Sequence, residues 1–115
     1  MKNTNKNKLT HFRQGDVLIE QIPALPQNLK PVSRENGRVI LAHGEVTGHA
    51  HAITAKHVYQ FSETGAAGDL TFLEIKNAMA ALDHDEHSTI ELPAGNYRVT
   101  RQREYSPEEI RRVAD

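Results

Sequence analysis

Seven histidines stand out in this 115-residue chain, and five of them fall in two tight groups. The first group is His43, His49 and His51, around a segment bounded by glycines, residues 44–48. Residues i and i+2 of a β-strand share one face, so His49 and His51 are predicted to point the same way. If residues 44–48 form a hairpin loop, His43 becomes the cross-strand neighbour of His49, with Cβ atoms about 4.5–5.5 Å apart. One hairpin face then presents three imidazoles, enough to hold zinc or iron(II).

The second group is His84 and His87, which are separated by two acidic residues. One interpretation is a two-residue hairpin turn over residues 85–86, although glutamate suits the positive φ of such a turn poorly. The alternative is the end of a short helix, where residues i and i+3 share a face. Under both interpretations the two imidazoles converge, and His87 enters the following strand. An exposed acidic turn with incidental histidines is the simpler alternative.

These groups predict a site for one divalent transition metal ion. The predicted ligands are four histidines from the two groups: His43, His49, His51 and His87. Iron(II), zinc, nickel and manganese all accept imidazole ligands, so the sequence does not choose among them. His84 and Glu45 are the candidate catalytic residues. The chain has no cysteine, which excludes thiolate sites, disulfides and cysteine nucleophiles.

A run of alternating side chains near the C-terminus offers a surface for a small anionic molecule. Tyr97 and Arg101 fall on one face of a predicted strand, and Arg98 falls on the other. The guanidinium fork matches the geometry of carboxylate and phosphate, so these three residues are the candidate substrate-binding residues. The alternative is a strand end whose arginines blunt an exposed sheet edge.

The elements that must position these groups are predicted to be short strands divided by glycine and proline turns. The predicted strands are 15–22, 38–43, 49–54, 57–61, 69–75, 89–92 and 97–101. The last two strands predict a hairpin around residues 93–96. Connected hairpins favour antiparallel pairing, so we predict a mostly-β fold, a small antiparallel β-barrel or sandwich.

We divide the chain into a disordered N-terminal tail (1–10), a single β domain (11–105) and a short C-terminal helix (106–115) packed on it. The helix is predicted from a capping serine followed by proline and two glutamates. No apolar run is long enough to span a membrane and no secretory signal is visible, so the cytoplasm is the expected location. A second copy of the chain that covers the strand edges is a candidate partner.

Two of these motifs resemble the cupin family. In cupins a glycine-led strand carries His-x-His, and a later Pro-x-Gly turn precedes another strand of the same small barrel. Here residues 44–51 and 89–97 carry the corresponding patterns, and the resemblance spans residues 38–101. It implies that His49 and His51 are metal ligands and that residues 93–95 are the inter-strand turn.

The chain departs from the cupin pattern at two positions. The usual glutamate after His-x-His falls near Lys56, and the usual last histidine falls near Tyr97. His43 and His87 would have to take over these two roles.

The function expected from the sequence is that of a small metal-binding protein on a cupin-like barrel, a metal-dependent enzyme acting on a small anionic molecule. One alternative is a non-catalytic module that responds to metal or to pH, because histidine changes its charge near neutral pH. Another is a nucleic-acid-associated accessory protein. The formal charge of −1 and the scarcity of aromatic residues argue against nucleic acid as a partner.

Overall fold

Ten β-strands and no helix make up the part of the chain that the computed structural model describes, residues 9–43, 49–63 and 70–101. The strands are β1 (His11–Gln14), β2 (Val17–Ile22), β3 (Leu29–Pro31), β4 (Val39–His43), β5 (Ala50–Ile53), β6 (Val58–Glu63), β7 (Thr71–Ile75), β8 (Ala80–Leu82), β9 (Ile90–Leu92) and β10 (Gly95–Arg101). The predicted mostly-β fold is therefore confirmed. The predicted C-terminal helix and residues 1–8 of the predicted tail lie outside the described residues. No helix in the described part is long and apolar enough to cross a membrane.

Six strands form one antiparallel sheet in the order β1-β2-β10-β7-β6-β3. β10 lies in the middle of this sheet, where Val99 pairs with Ile19 of β2 and Tyr97 pairs with Leu73 of β7. Only one face of β10 is covered by the core, so buried and exposed side chains alternate along it. Tyr97 and Val99 are buried, and Arg98 between them is exposed. No ladder joins β1 to β3 within the described residues, so the sheet is open and the closed barrel of our prediction is not found.

Two shorter ladders, β4–β5 and β8–β9, are joined through one bridge between Ala52 and Asp83. The backbone N–H of each of these residues donates to the carbonyl of the other, at 3.0 and 2.8 Å. The main hydrophobic core draws on both the large sheet and these ladders. It contains Val17, Ile19, Val39, Ala42, Ile53, Val58, Leu73, Ile75, Ala80, Leu82, Leu92, Tyr97 and Val99.

The β4–β5 hairpin contains a β-bulge at Leu41. Ile40 pairs with Ala52, but the next pair along the ladder is Ala42 with His51. Leu41 is therefore an extra residue on β4, and the pairing continues shifted by one position.

This bulge overturns the expected position of His43. Without it His43 would pair with His49, as the sequence predicted, but in the structure His43 pairs with Ala50. Because side chains alternate with a period of two, a shift by one residue moves a side chain to the opposite face of its strand. The predicted pairing of the two strands is present, but His43 and His49 do not lie side by side on the same face of it.

The turn at Pro93 and Ala94 also differs from its prediction. It connects two strands, β9 and β10, but β9 pairs with β8 whereas β10 pairs with β2 and β7. The predicted hairpin is therefore wrong, because the turn carries the chain from a short ladder into the large sheet. Gly95, just after it, has a φ of 150° and lies where an added Cβ would approach Gln21 Nε2 to 2.9 Å.

Candidate metal centre

The site is built around His51, the one histidine of the described residues that is buried, with 3% of its surface exposed. His51 lies in β5 two residues before Ile53, so it shares the face of the strand that packs on the core. Its Nδ1 atom lies 2.8 Å from the side-chain oxygen of Gln14, at the end of β1.

Gln14 fixes the orientation of this contact. Its side chain is 2% exposed, and its amide nitrogen donates to the carbonyl oxygens of Leu82 at 3.0 Å and Ser88 at 2.9 Å. Because both amide hydrogens point at carbonyls, the amide oxygen faces His51 as an acceptor. A neutral His51 therefore carries its proton on Nδ1 and leaves an unprotonated Nε2 with a free lone pair.

Three imidazole rings, those of His51, His84 and His87, lie against one another between the core and the surface, and we call this group the histidine stack. The ring centroids of His51 and His84 are 4.3 Å apart, those of His84 and His87 are 4.7 Å apart, and those of His51 and His87 are 5.8 Å apart. His84 is half-buried and His87 is exposed. The connection between β8 and β9 supplies the outer two rings, and Thr89 ties its ends by donating to Asp83 Oδ1 at 2.9 Å.

Gly15 allows the tight turn between β1 and β2 to lie directly against this stack. Its φ is 62°, a conformation that side chains with a Cβ adopt at a cost. A Cβ atom here would lie 2.9 Å from His87 Nε2 and 3.3 Å from His51 Cε1. The site therefore requires glycine for its backbone and for the space that the histidines occupy.

His49 contacts the same stack from the other side. Its ring meets His84 edge-on at a centroid distance of 6.0 Å. Its Nε2 lies 3.3 Å from Asp85 Oδ2 and its Nδ1 lies 3.4 Å from Glu86 Oε2, so both nitrogens face carboxylates. The Glu86 contact is close but is not aligned as a hydrogen bond, and the buried Nδ1 atom has no hydrogen-bond partner among the described residues.

The environment of His51 favours its neutral form. Burial lowers the pKa of His51 from 6.5 to about 4, and the neighbouring His84 contributes to this shift. Asp16 acts in the opposite direction, with Oδ1 at 3.9 Å from His51 Nε2. At neutral pH His51 is consequently an uncharged imidazole, the form that can bind a metal ion.

Asp16 is itself held by Arg101, whose Nε donates to Asp16 Oδ2 at 3.0 Å. An Nη2 hydrogen of Arg101 is donated to the carbonyl oxygen of His43 at 2.9 Å. The predicted substrate-binding residue Arg101 therefore lies close to the histidine stack, on the far side of the Asp16 carboxylate.

The other predicted site residues lie elsewhere. His43 is exposed, and its Nε2 lies 3.3 Å from Glu35 Oε1. Arg98 forms an ion pair with Glu20, at 2.7 Å, on the outer face of the large sheet. Tyr97 is buried and donates to the Pro93 carbonyl at 2.6 Å, and burial raises the pKa of Tyr97 to about 12. Glu45 lies outside the described residues.

The ring nitrogens of the histidine stack that could ligate a metal do not converge on one point in this structure. Within the described ranges, no group of three or more histidine, aspartate or glutamate side chains is arranged to hold a metal ion. One reason is visible at His84, whose Nδ1 accepts the backbone N–H of Glu86 at 3.0 Å. A neutral His84 in this position carries its proton on Nε2.

Sequence reasoning missed the three consecutive residues Gln14, Gly15 and Asp16. The Gly-Asp pair is a recognised signal for a two-residue hairpin turn, and it could have divided the predicted strand at 15–22. Gln14 carries no local signal, because its partner His51 is 37 positions away.

Residues 13–102 match the family described as Domain of unknown function (DUF8820). The chain belongs to this family. The matched region contains the whole histidine stack, together with Gln14, Gly15 and Asp16. No curated protein and no solved structure matched the chain in the corresponding searches.

Proposed function

We propose that the protein binds one divalent transition metal ion through the imidazoles of His51, His84 and His87. The observation that carries this proposal is the contact of His51 with Gln14, beside two further imidazole rings. A histidine that ligates a metal usually donates its other ring N–H to a fixed acceptor, which sets its tautomer and aims its lone pair. Gln14 supplies such an acceptor to His51.

The spacing of the rings supports the proposal. A ring centroid lies about 3 Å from a metal bound through its nitrogen, so two imidazoles at a tetrahedral angle have centroids about 5 Å apart. The three observed centroid distances, 4.3, 4.7 and 5.8 Å, lie on both sides of this value. The proposal requires rotation of side chains to bring the ring nitrogens to one point.

His84 and His87 are the side chains that have to rotate. His84 must give up the backbone N–H of Glu86 or lose the proton on its Nε2. His87 is exposed, as are Asp85 and Glu86, so little packing opposes its rotation. His84 is half-buried and its ring contacts those of His49, His51 and His87, so its rotation is the more restricted of the two. Asp16 is the carboxylate nearest to the free nitrogen of His51, at 3.9 Å, and is the candidate for a further ligand.

Neutral imidazoles favour zinc, nickel or iron(II) over the hard cations magnesium and calcium. Three protein ligands leave coordination positions open for water or for a small anionic substrate, as an enzyme would need. A metal-binding module without catalysis is the alternative. The resemblance to cupins stays a prediction. The ligand set proposed here adds His84 and omits His43 and His49, whose ring nitrogens lie against carboxylates instead.

Titration of the untagged, full-length protein with Zn²⁺ and Ni²⁺, followed by calorimetry and elemental analysis, tests the proposal. We expect one equivalent to bind. His87→Ala should weaken binding by about tenfold or more, because it removes one ligand from an exposed position. His11→Ala is the matched control, since His11 is an exposed histidine on β1, and it should leave the affinity unchanged.

His43→Ala distinguishes the two ligand sets. We expect this variant to bind metal as the unmodified protein does, because His43 lies on the opposite face of the β4–β5 ladder from His51. A loss of affinity equal to that of His87→Ala, or no binding of metal by the unmodified protein, would overturn the proposal.

A further inference from the structure

A pocket of about 220 Å³ lies between β4 and the strands β2 and β10 of the large sheet. Its apolar wall is formed by Val17, Leu41, Ala42 and Val99. The polar residues of its lining are His43, Thr100 and Arg101, and the Arg101 guanidinium lies against the His43 carbonyl. The pocket has room for about seven molecules of the size of water, at ~30 Å³ each, and therefore for a small organic molecule.

The guanidinium of Arg101 donates only some of its hydrogens to the described residues. Of its five N–H groups, Nε is donated to Asp16, and one Nη2 hydrogen is donated to the His43 carbonyl. Among the described residues, Nη1 forms no hydrogen bond. These remaining donors are open to solvent, and an acceptor-only group such as a carboxylate can replace water there.

We infer that this pocket binds a small carboxylate with a short aliphatic body. The aliphatic part contacts the valine, leucine and alanine side chains, and the carboxylate accepts hydrogen bonds from Arg101. Pockets of this composition, apolar walls with a few polar groups that fix orientation, are typical of sites for small molecules.

The pocket lies beside the proposed metal centre, and only the link between the bound carboxylate and that centre rests on the proposed function. Asp16 connects the two sites, because one carboxylate oxygen accepts from Arg101 and the other lies 3.9 Å from His51 Nε2. Binding of the carboxylate itself does not require the metal. Since Asp16 already offsets much of the charge of Arg101, we expect dissociation constants in the millimolar range.

The experiment is an NMR titration of the ¹⁵N-labelled full chain, freed of metal with a chelator. Butyrate is the probe, butyramide is its neutral isostere, and acetate lacks most of the aliphatic body. Butyrate should bind most tightly, and its largest shifts should fall on the backbone amides of β4 and β10 that line the pocket.

Variants of two arginines on β10 test whether Arg101 holds the carboxylate of butyrate. Arg101→Gln should weaken butyrate binding by about tenfold or more, because it removes the fork that holds the carboxylate. Arg98→Gln is the matched control on the opposite face of the strand and should bind as the unmodified chain does. If Arg101→Gln does not fold, Arg101→Lys keeps the charge without the fork and should still weaken binding several-fold.

Three results would overturn the inference: no shifts with butyrate, equal binding of butyramide, or unchanged affinity in the Arg101 variants. Because the protein is metal-free throughout, failure here leaves the metal proposal intact. Failure of the metal titration likewise leaves this binding result intact.

Discussion

Gln14 makes three hydrogen bonds from a side chain that is almost completely buried. Two of them fasten it to the carbonyls of Leu82 and Ser88, on either side of the segment that carries His84 and His87. The third fixes the tautomer of His51. A single amide therefore positions the buried histidine and anchors the connection that supplies the other two.

We expect Gln14→Ala to lower both stability and metal affinity. The change leaves buried polar groups without partners, which costs about 1–3 kcal/mol in the free energy of unfolding. It also removes the acceptor for His51 Nδ1, and such outer partners are worth about 10–100-fold in metal affinity. Urea denaturation and zinc calorimetry measure the two effects.

Gln60→Ala is the matched control for Gln14→Ala. Gln60 is also buried, and its Nε2 donates to the Ile40 carbonyl at 3.0 Å, but no histidine contact is formed. This variant should lose a similar amount of stability and keep its affinity for metal. Equal losses of metal affinity in the two variants would show that Gln14 acts only through stability.

The lowered pKa of His51 predicts an acid-sensitive fold in the metal-free protein. The folded-state value is about 4 and the unfolded value is 6.5, so between these pH values the unfolded chain binds a proton that the folded chain does not. Stability should fall as pH decreases from 6.5 to about 4, with a slope approaching 1.4 kcal/mol per pH unit. Denaturation across this range and NMR titration of the His51 ring check it, and a ring midpoint near 6.5 would contradict it.

The β4–β5 ladder shows how much of the strand pairing could be predicted from the sequence. Alternation and the glycine-bounded loop correctly predicted the β4–β5 hairpin and placed His51 in its second strand. The first half of that ladder even has the predicted register. The bulge at Leu41 then shifts the pairing, and a run of aliphatic residues gives no sign of which one lacks a partner.

The β9–β10 connection shows a second limit. Proline and glycine correctly marked the turn, because their backbone preferences are local. Which strands lie beside β9 and β10 depends on packing of residues far apart in the chain. The same is true of His84, since its approach to His51 depends on the bridge between Ala52 and Asp83.

Gly15→Ala tests whether the β1–β2 turn shapes the site. The positive φ should cost about 1–2 kcal/mol in the free energy of unfolding, and the added Cβ must displace His87. Gly37→Ala is the control, because Gly37 has a φ of 80° and an added Cβ there meets nothing within 4 Å. Only Gly15→Ala should weaken zinc binding in calorimetry, and an equal effect of Gly37→Ala would refute the role of the turn.

At the scale of the whole molecule, Arg34 connects segments that no ladder joins. Its guanidinium donates to the carbonyls of Gly37 at 2.9 Å, Ala55 at 2.6 Å and Val58 at 3.0 Å, with a longer contact to Thr54 at 3.5 Å. It thereby holds the start of β4 against the connection that leads from β5 into β6 of the large sheet. This side chain stabilises the junction between a short ladder and the six-stranded sheet.

We expect Arg34→Met to lower the free energy of unfolding by about 2–4 kcal/mol, because it removes two charge-assisted hydrogen bonds to partly buried sites and two exposed ones. Arg98→Met is the control, since its ion pair with Glu20 is largely exposed and such pairs contribute about 0–1 kcal/mol. Chemical denaturation of the two variants measures the difference. Equal losses would show that Arg34 contributes no more than a surface arginine.

The central position of β10 also constrains how the chain folds. β10 joins β2 to β7, and the Arg98–Glu20 pair across that junction spans 78 positions of sequence. Until β10 docks, β2 and β7 each expose an unpaired edge, the kind of surface at which chains associate with one another. Such non-local pairing also slows folding into the range of milliseconds to seconds. A newly synthesised chain is therefore most vulnerable to aggregation in the interval before this strand inserts.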